Sequence, residues 1–231
     1  MTTTAHVTTT PVMVPVGQDI LYGDLGLPAH PLGLVLFAHG SGSSRHSDRN
    51  RFVAHALDRQ GFGTLLIDLL TAAEDAEDQR TAQWRFDIDL LAKRLTAIID
   101  WLRVQPALAS LPIGLFGAST GAGAALVAAA ARPKDVVAVV SRGGRPDLAG
   151  PALGRILAPT LLIVGGDDAQ VLDLNRQAKA RMRQEVVLDI VPRATHLFEE
   201  PGALEHVAEL AGDFFIRTLL PARPPGDARH R

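Results

Sequence analysis

Aliphatic residues occur in two arrangements along this chain: short unbroken runs, and longer stretches in which apolar positions recur at steps of three and four. The runs are LGLVLFAH (32–39), TLLIDLL (64–70), PIGLFG (112–117), VVAVV (136–140), TLLIVGG (160–166) and EVVLDIV (185–191). Most are apolar at consecutive positions, hence on both faces of an extended segment, the pattern of strands covered by helices on each side. Between them, residues 82–104 carry Trp84, Ile88, Leu91, Leu95, Ile98, Ile99 and Leu102 on one stripe, which predicts a long helix laid on a sheet. Phe52, Val53, Ala56 and Leu57 form a shorter stripe that stops at Gly61. Leu204, Val207, Ala208, Ala211, Phe214 and Phe215 mark a last helix, with Pro201 in its first turn.

Strands alternating with helices imply an α/β fold: an open, mostly parallel sheet with helices on both faces. The stretch VMVPVGQDILYGDLGL (12–27) adds one or two antiparallel strands at its edge. No internal repeat or linker composition divides the chain, so residues 12–220 are expected to form a single domain. Residues 1–11 are expected to be a flexible N-terminus, and PARPPGDARHR (221–231), with no apolar face, a disordered tail.

Composition narrows the chemistry. A formal charge of -2, with arginines scattered along the chain, gives no basic patch for nucleic acid. The absence of cysteine excludes disulfides, thiolate metal sites and a thiol nucleophile, leaving hydroxyl, imidazole and carboxylate groups. The start, MTTTAHVTTTPV, lacks a basic and then apolar leader, and no apolar run reaches the roughly 18 residues of a membrane span, so a cytoplasmic protein without a membrane partner is expected. No two histidines have metal-ligand spacing. Glu74, Asp75, Glu77 and Asp78 lack the glycine turn of a calcium loop and read as a solvated loop at the rim of a site, so no metal or cofactor is expected.

The stretch LFGASTGAG (115–123) joins an apolar run to an alanine-rich segment. Gly117, Gly121 and Gly123 fit the dinucleotide loop of short-chain dehydrogenases, but half the sequence precedes them, and the only tyrosine, Tyr22, is upstream with no lysine four residues on. The same residues fit a nucleophile elbow, Gly117-Ala118-Ser119-Thr120-Gly121, in which small neighbours let a sharp strand-to-helix turn close and project the serine hydroxyl into a cleft. An elbow predicts an acid and then a histidine, each just after a later strand. Asp167 and Asp168 follow TLLIVGG, and His196 follows VVLDIVPRA. Upstream, FAHGSGSS (37–44) leaves a strand through a glycine-rich loop. The backbone N–H groups of Ser41 and Thr120 are the expected oxyanion donors. His39 supports that loop through a hydrogen bond; His55 and His206 fall off the apolar stripes of their helices.

FAHGSGSS, LFGASTGAG, LLIVGGDD and ATHLFEEPG together resemble the dienelactone-hydrolase-like group of the α/β-hydrolases, small enzymes without a large lid, over roughly residues 12–220. The resemblance implies Ser119 as nucleophile, His196 as base and, from the pattern Gly-Gly-x-Asp after the strand, Asp168 rather than Asp167 as the orienting acid. Asp68 and Asp173 fit less well, since Asp68 precedes the serine. Dienelactone hydrolases proper carry cysteine at the elbow, and this chain carries serine. The implied function is therefore that of a serine hydrolase cleaving a small ester or lactone through an acyl-enzyme. The alternatives are a non-catalytic member binding a ligand or partner in the crevice, and an acyltransferase or perhydrolase using the same serine. Arg45 and Arg49 follow the oxyanion loop, and Arg142 and Arg145 follow VVAVV. Arg45, Arg142 or Arg145 receives an anionic group of the substrate, or these residues pair internally with Asp48 or Asp147.

Overall fold

In the computed structural model, which describes residues 9–220, eight strands form one sheet. They are β1 (Thr9–Val16), β2 (Asp19–Gly26), β3 (Leu34–Ala38), β4 (Gly63–Ile67), β5 (Ile113–Ala118), β6 (Val136–Arg142), β7 (Thr160–Gly165) and β8 (Val186–Val191), in spatial order β1-β2-β4-β3-β5-β6-β7-β8. β2 runs antiparallel to β1 and β4, and all pairings from β4 through β8 are parallel. Each aliphatic run of the sequence is one strand, and the antiparallel edge lies where its pattern placed it. β1 begins earlier than expected: Thr9, Thr10 and Pro11, assigned to the flexible N-terminus, pair with Gly26, Leu25 and Asp24. An edge strand needs no apolar alternation to hold this ladder, and proline is tolerated there. The expected tail, 221–231, lies outside the described residues.

The helices are α1 (Asp48–Arg59), α2 (Ala72–Thr81), α3 (Ile88–Val104), α4 (Thr120–Ala131), α5 (Ala169–Arg181) and α6 (Ala203–Leu219), with a 3-10 segment at Pro146–Arg155. Alternation along the strands sends Val35 and Phe37 into one apolar cluster with α1 and α6, and Leu34, Leu36 and Ala38 into another with α3 and α4. Both faces of the sheet are thus buried. α4 is buried nearly all round, and its small residues let it lie against the strand ends: a Cβ on Gly117 would sit 2.4 Å from the Ala122 Cα. No described helix is long and apolar enough to cross a membrane.

Three local expectations are corrected. The acidic stretch at 74–78 is helix α2, opened by a capping box in which Thr71 and Glu74 satisfy each other's backbone N–H groups. Its anchors are polar. Buried Asp78 accepts from the Trp84 and Arg85 N–H groups at 2.7 and 2.9 Å and from Arg85 Nε at 2.5 Å. Glu74 takes a two-pronged bond from Arg94 on α3, 2.6 and 2.7 Å long. The helix predicted from residue 82 starts at Ile88, because Asp87 caps it through Leu90 N–H. Pro201 sits in the turn before α6, whose cap is Gly202 at φ 83°.

Candidate active site

Ser119 stands between β5 and α4 at φ 50° and ψ −121°, a conformation that costs a non-glycine residue energy. Its surroundings hold it there. The Ser119 N–H donates to the Arg142 carbonyl at 3.2 Å, and its own carbonyl accepts from Arg145 N–H at 3.0 Å and Ala122 N–H at 3.1 Å. Glycine is required on both sides: a Cβ on Gly121 would lie 2.3 Å from the carbonyl oxygens of Ala38 and His39.

Asp168 and His196 come from neighbouring strand ends. Asp168 follows β7 and caps α5, with Val171 N–H donating to its Oδ1 at 3.4 Å. His196 lies on the loop after β8, drawn inward because Gly165 lets the Ala194 carbonyl approach to where a Cβ would leave 2.3 Å. His196 Nδ1 is 2.7 Å from Asp168 Oδ2, and its Nε2 is 3.3 Å from Ser119 Oγ. A carboxylate on Nδ1 fixes the tautomer that carries its proton there, leaving the Nε2 lone pair to face the hydroxyl. Asp167 is exposed, and only its backbone is engaged, N–H to the Ala194 carbonyl at 3.0 Å. Asp68 and Asp173 point elsewhere, bonded to Arg45 and Arg176.

The loop after β3 passes over the serine: a Cβ on Gly40 would be 3.1 Å from Ser119 Cβ. His39 anchors that loop as its sequence position suggested. Its Nδ1–H donates to the Gly40 carbonyl, and its Nε2 accepts from Leu69 N–H, both at 3.0 Å. Burial pushes its pKa below the ordinary 6.5, consistent with a neutral ring that uses one nitrogen as donor and the other as acceptor. The Leu69 carbonyl in turn accepts from buried Arg94 at 2.7 Å, so α2, α3 and the loop after β3 share one polar network. Sequence reading missed Arg94, since nothing local marks its bond to Glu74, 20 positions away, and it placed Asp78 in a solvated loop although Arg85, seven positions on, is its partner.

Of the four arginines weighed, the structure brings two to the serine. A cleft of about 190 Å³ is lined by Ser41, Ser47, Arg49, Asn50, Ser119, Arg142 and His196, among others. Arg45 is turned away, paired with Asp68 and Asp24 along a neighbouring cleft with Tyr22 and His46. Arg145 is held by Asp147 at 2.7 and 2.8 Å and does not line the Ser119 cleft. Internal pairing accounts for both, with Asp147 the expected partner and Asp68 an unexpected one. His46 meets Arg51 at 2.6 Å. Arg142 is only 7% exposed, and burial, with Arg49 nearby, pushes its guanidinium down to about 10, still protonated at neutral pH. Among the described residues no three histidine or acidic side chains gather as a metal site.

A model of the dienelactone hydrolase family matches residues 23–219. A dienelactone hydrolase of Anabaena variabilis, known from its crystal structure, is 56% identical and superposes with a TM-score of 0.91 over 92% of this chain and 99% of that one. An α/β serine hydrolase without a lid from Xanthomonas campestris shares the fold, with a TM-score of 0.74 at 22% identity over 94% of this chain and 97% of its own. A Mycobacterium tuberculosis protein named putative phosphoribosyl transferase is 58% identical over 93% of this chain but only 48% of its own length. The chain thus spans about half the length of the curated relatives it matches.

Proposed function

This chain belongs to the dienelactone hydrolase family, and from that premise we propose that it cleaves small carboxylic esters or lactones through a serine acyl-enzyme. The observation that carries the reading is the continuous hydrogen-bonded line from Asp168 through His196 to Ser119, at 2.7 and 3.3 Å. His196 Nε2 takes the Ser119 proton as Oγ attacks the acyl carbon, and the Asp168 carboxylate stabilises the imidazolium that forms. The resulting oxyanion is received by the N–H groups of Ser41 and Thr120. Thr120 is the first residue of α4, so its N–H has no acceptor within the helix, and the partial positive charge of the helix end adds to the field. Each such donor contributes about 3 kcal/mol to the transition state. His196 then gives its proton to the leaving alkoxide, the C–O bond breaks, and water activated by the same ring releases the acid.

Hydrolysis is favoured over ligand binding alone because the strain at Ser119 is maintained together with the acid and base that make it useful. The phosphoribosyl transfer in the name of the longer relatives is assigned, in this reading, to the half of those proteins that this chain does not span. Rapid mixing with p-nitrophenyl acetate tests the proposal. A burst of nitrophenolate approaching one equivalent, absent in His196→Ala, is expected; a wild type that turns over neither this ester nor a small lactone would overturn it.

A further inference from the structure

We propose that the cleft beside Ser119 contains a dedicated anion subsite, formed by Arg142 and Arg49, that holds a phosphate group of the substrate, so that the esters hydrolysed are small phosphorylated ones. The inference rests on the hydrolase reading for the reaction, but the subsite is argued independently. Arg142 ends β6, where it pairs in register with Ala118, the residue before the nucleophile. Strand alternation puts its side chain on the face of Ala138 and Val140, against the start of α1. There its Nη2 reaches Asn50 Oδ1 at 3.5 Å, the outer limit of a hydrogen bond, while Nε and Nη1 are buried with no partner.

A buried cation without a counter-ion is costly, and other buried or part-buried arginines among the described residues avoid it. Arg94, 3% exposed, has Glu74 and Asp19; Arg85 has Asp78, Arg103 has Asp135 and Arg145 has Asp147. Arg142 has no carboxylate, and the one cation facing it is Arg49, whose Nε is also buried and unpartnered. Among the described residues, the one ion pair of Arg49 is with Glu199, at 3.4 Å, a carboxylate 65% exposed. Among the described residues, no aspartate or glutamate lines the cleft. Guanidinium pairs of this kind are neutralised by an oxyanion through forked hydrogen bonds. Two positive charges balance a dianion better than a single carboxylate, which selects phosphate.

Inorganic phosphate is the probe, titrated calorimetrically at about pH 8, where it is dianionic, into wild type, Ser119→Ala, Arg49→Gln and Arg142→Gln, with acetate as the single-carboxylate control. Phosphate is expected to bind wild type and Ser119→Ala alike, to bind more tightly than acetate, and to lose about tenfold or more in affinity in each arginine variant. Arg49, partly exposed, keeps the test decisive if Arg142→Gln does not fold. Phosphate that fails to bind wild type, that binds Arg49→Gln undiminished, or that binds more weakly than acetate overturns the subsite. Phosphate bound as expected by a protein that hydrolyses no ester sustains the subsite and removes the hydrolase reading. Ester hydrolysis without phosphate binding does the reverse.

Discussion

His196 Nδ1 lies 2.7 Å from Asp168 Oδ2, while the other oxygen of the same carboxylate accepts from Val171 N–H at 3.4 Å and caps α5. The helix therefore orients the carboxylate, and the carboxylate orients the ring. Asp168→Asn is expected to lower kcat for ester hydrolysis by about 10³ to 10⁴, because an amide presents its N–H₂ or a neutral oxygen where the tautomer needs a carboxylate. Exposed Asp167→Asn is expected to change kcat by less than about twofold. Asp168→Ala loses the cap as well and is expected to cost about 1 kcal/mol of stability, read from the urea midpoint. Equal kinetic effects at 167 and 168 would contradict the assignment.

The elbow glycines make a stability prediction. An alanine Cβ at Gly121 would stand 2.3 Å from two carbonyl oxygens, and at Gly117 2.4 Å from Ala122 Cα, all of them backbone atoms that cannot swing aside. Gly121→Ala and Gly117→Ala are each expected to destabilise the fold by about 2 kcal/mol or more, at the upper range of overpacking. Gly154→Ala, where the nearest atom to the added Cβ is 3.8 Å away, serves as the control. Urea midpoints unchanged at 117 and 121 would mean that the strand and helix do not approach as described.

His39 predicts a pH dependence of stability. Its folded pKa is depressed by burial, so as pH falls through about 6.5 the unfolded chain takes up a proton that the folded chain resists, and folding loses up to about 1.4 kcal/mol per pH unit until the folded pKa is passed. Above the unfolded value both states are neutral and this contribution is full. His39→Asn is expected to flatten the fall of the urea midpoint between about pH 7.5 and about pH 5.5. An identical slope in wild type and variant would remove His39 as the cause.

Asp78 is the polar anchor of α2, and Arg85, its partner, reaches to within 3.4 Å of where a Cβ on Gly42 of the loop after β3 would be. Asp78→Ala removes the acceptor of Arg85 Nε and of two backbone N–H groups, leaving the part-buried guanidinium the carbonyl of residue 78 in place of its counter-ion, and is expected to cost about 3 kcal/mol. Hydrogen exchange is expected to rise first in residues 72–86 and in the loop at 40–44. Protection unchanged in both segments would show that α2 is held some other way.

Most of the sheet is legible in the sequence because strands buried on both faces need consecutive aliphatic residues, as in β3 and β7. The serine, acid and histidine are legible because an elbow demands small residues and strand ends share one edge of the sheet. Helix α2 is not legible, since its bonds are made by Glu74 and Asp78 to Arg94 and Arg85 rather than by an apolar stripe. The arginines show the same limit in a sharper form. Arg142 could be placed by extending the alternation of Ala138 and Val140, whereas the turning away of Arg45 depends on Asp68 at the end of another strand. Long-range pairing of charges leaves no periodic trace.

Covalent labelling by a fluorophosphonate, read by intact mass in wild type and Ser119→Ala, tests the central claim most directly, because it requires the nucleophile, its base and the oxyanion donors to act together. One adduct per chain, located at Ser119 and absent from the variant, is predicted. A wild type that takes no label, or a Ser119→Ala variant labelled to the same extent, would contradict the account.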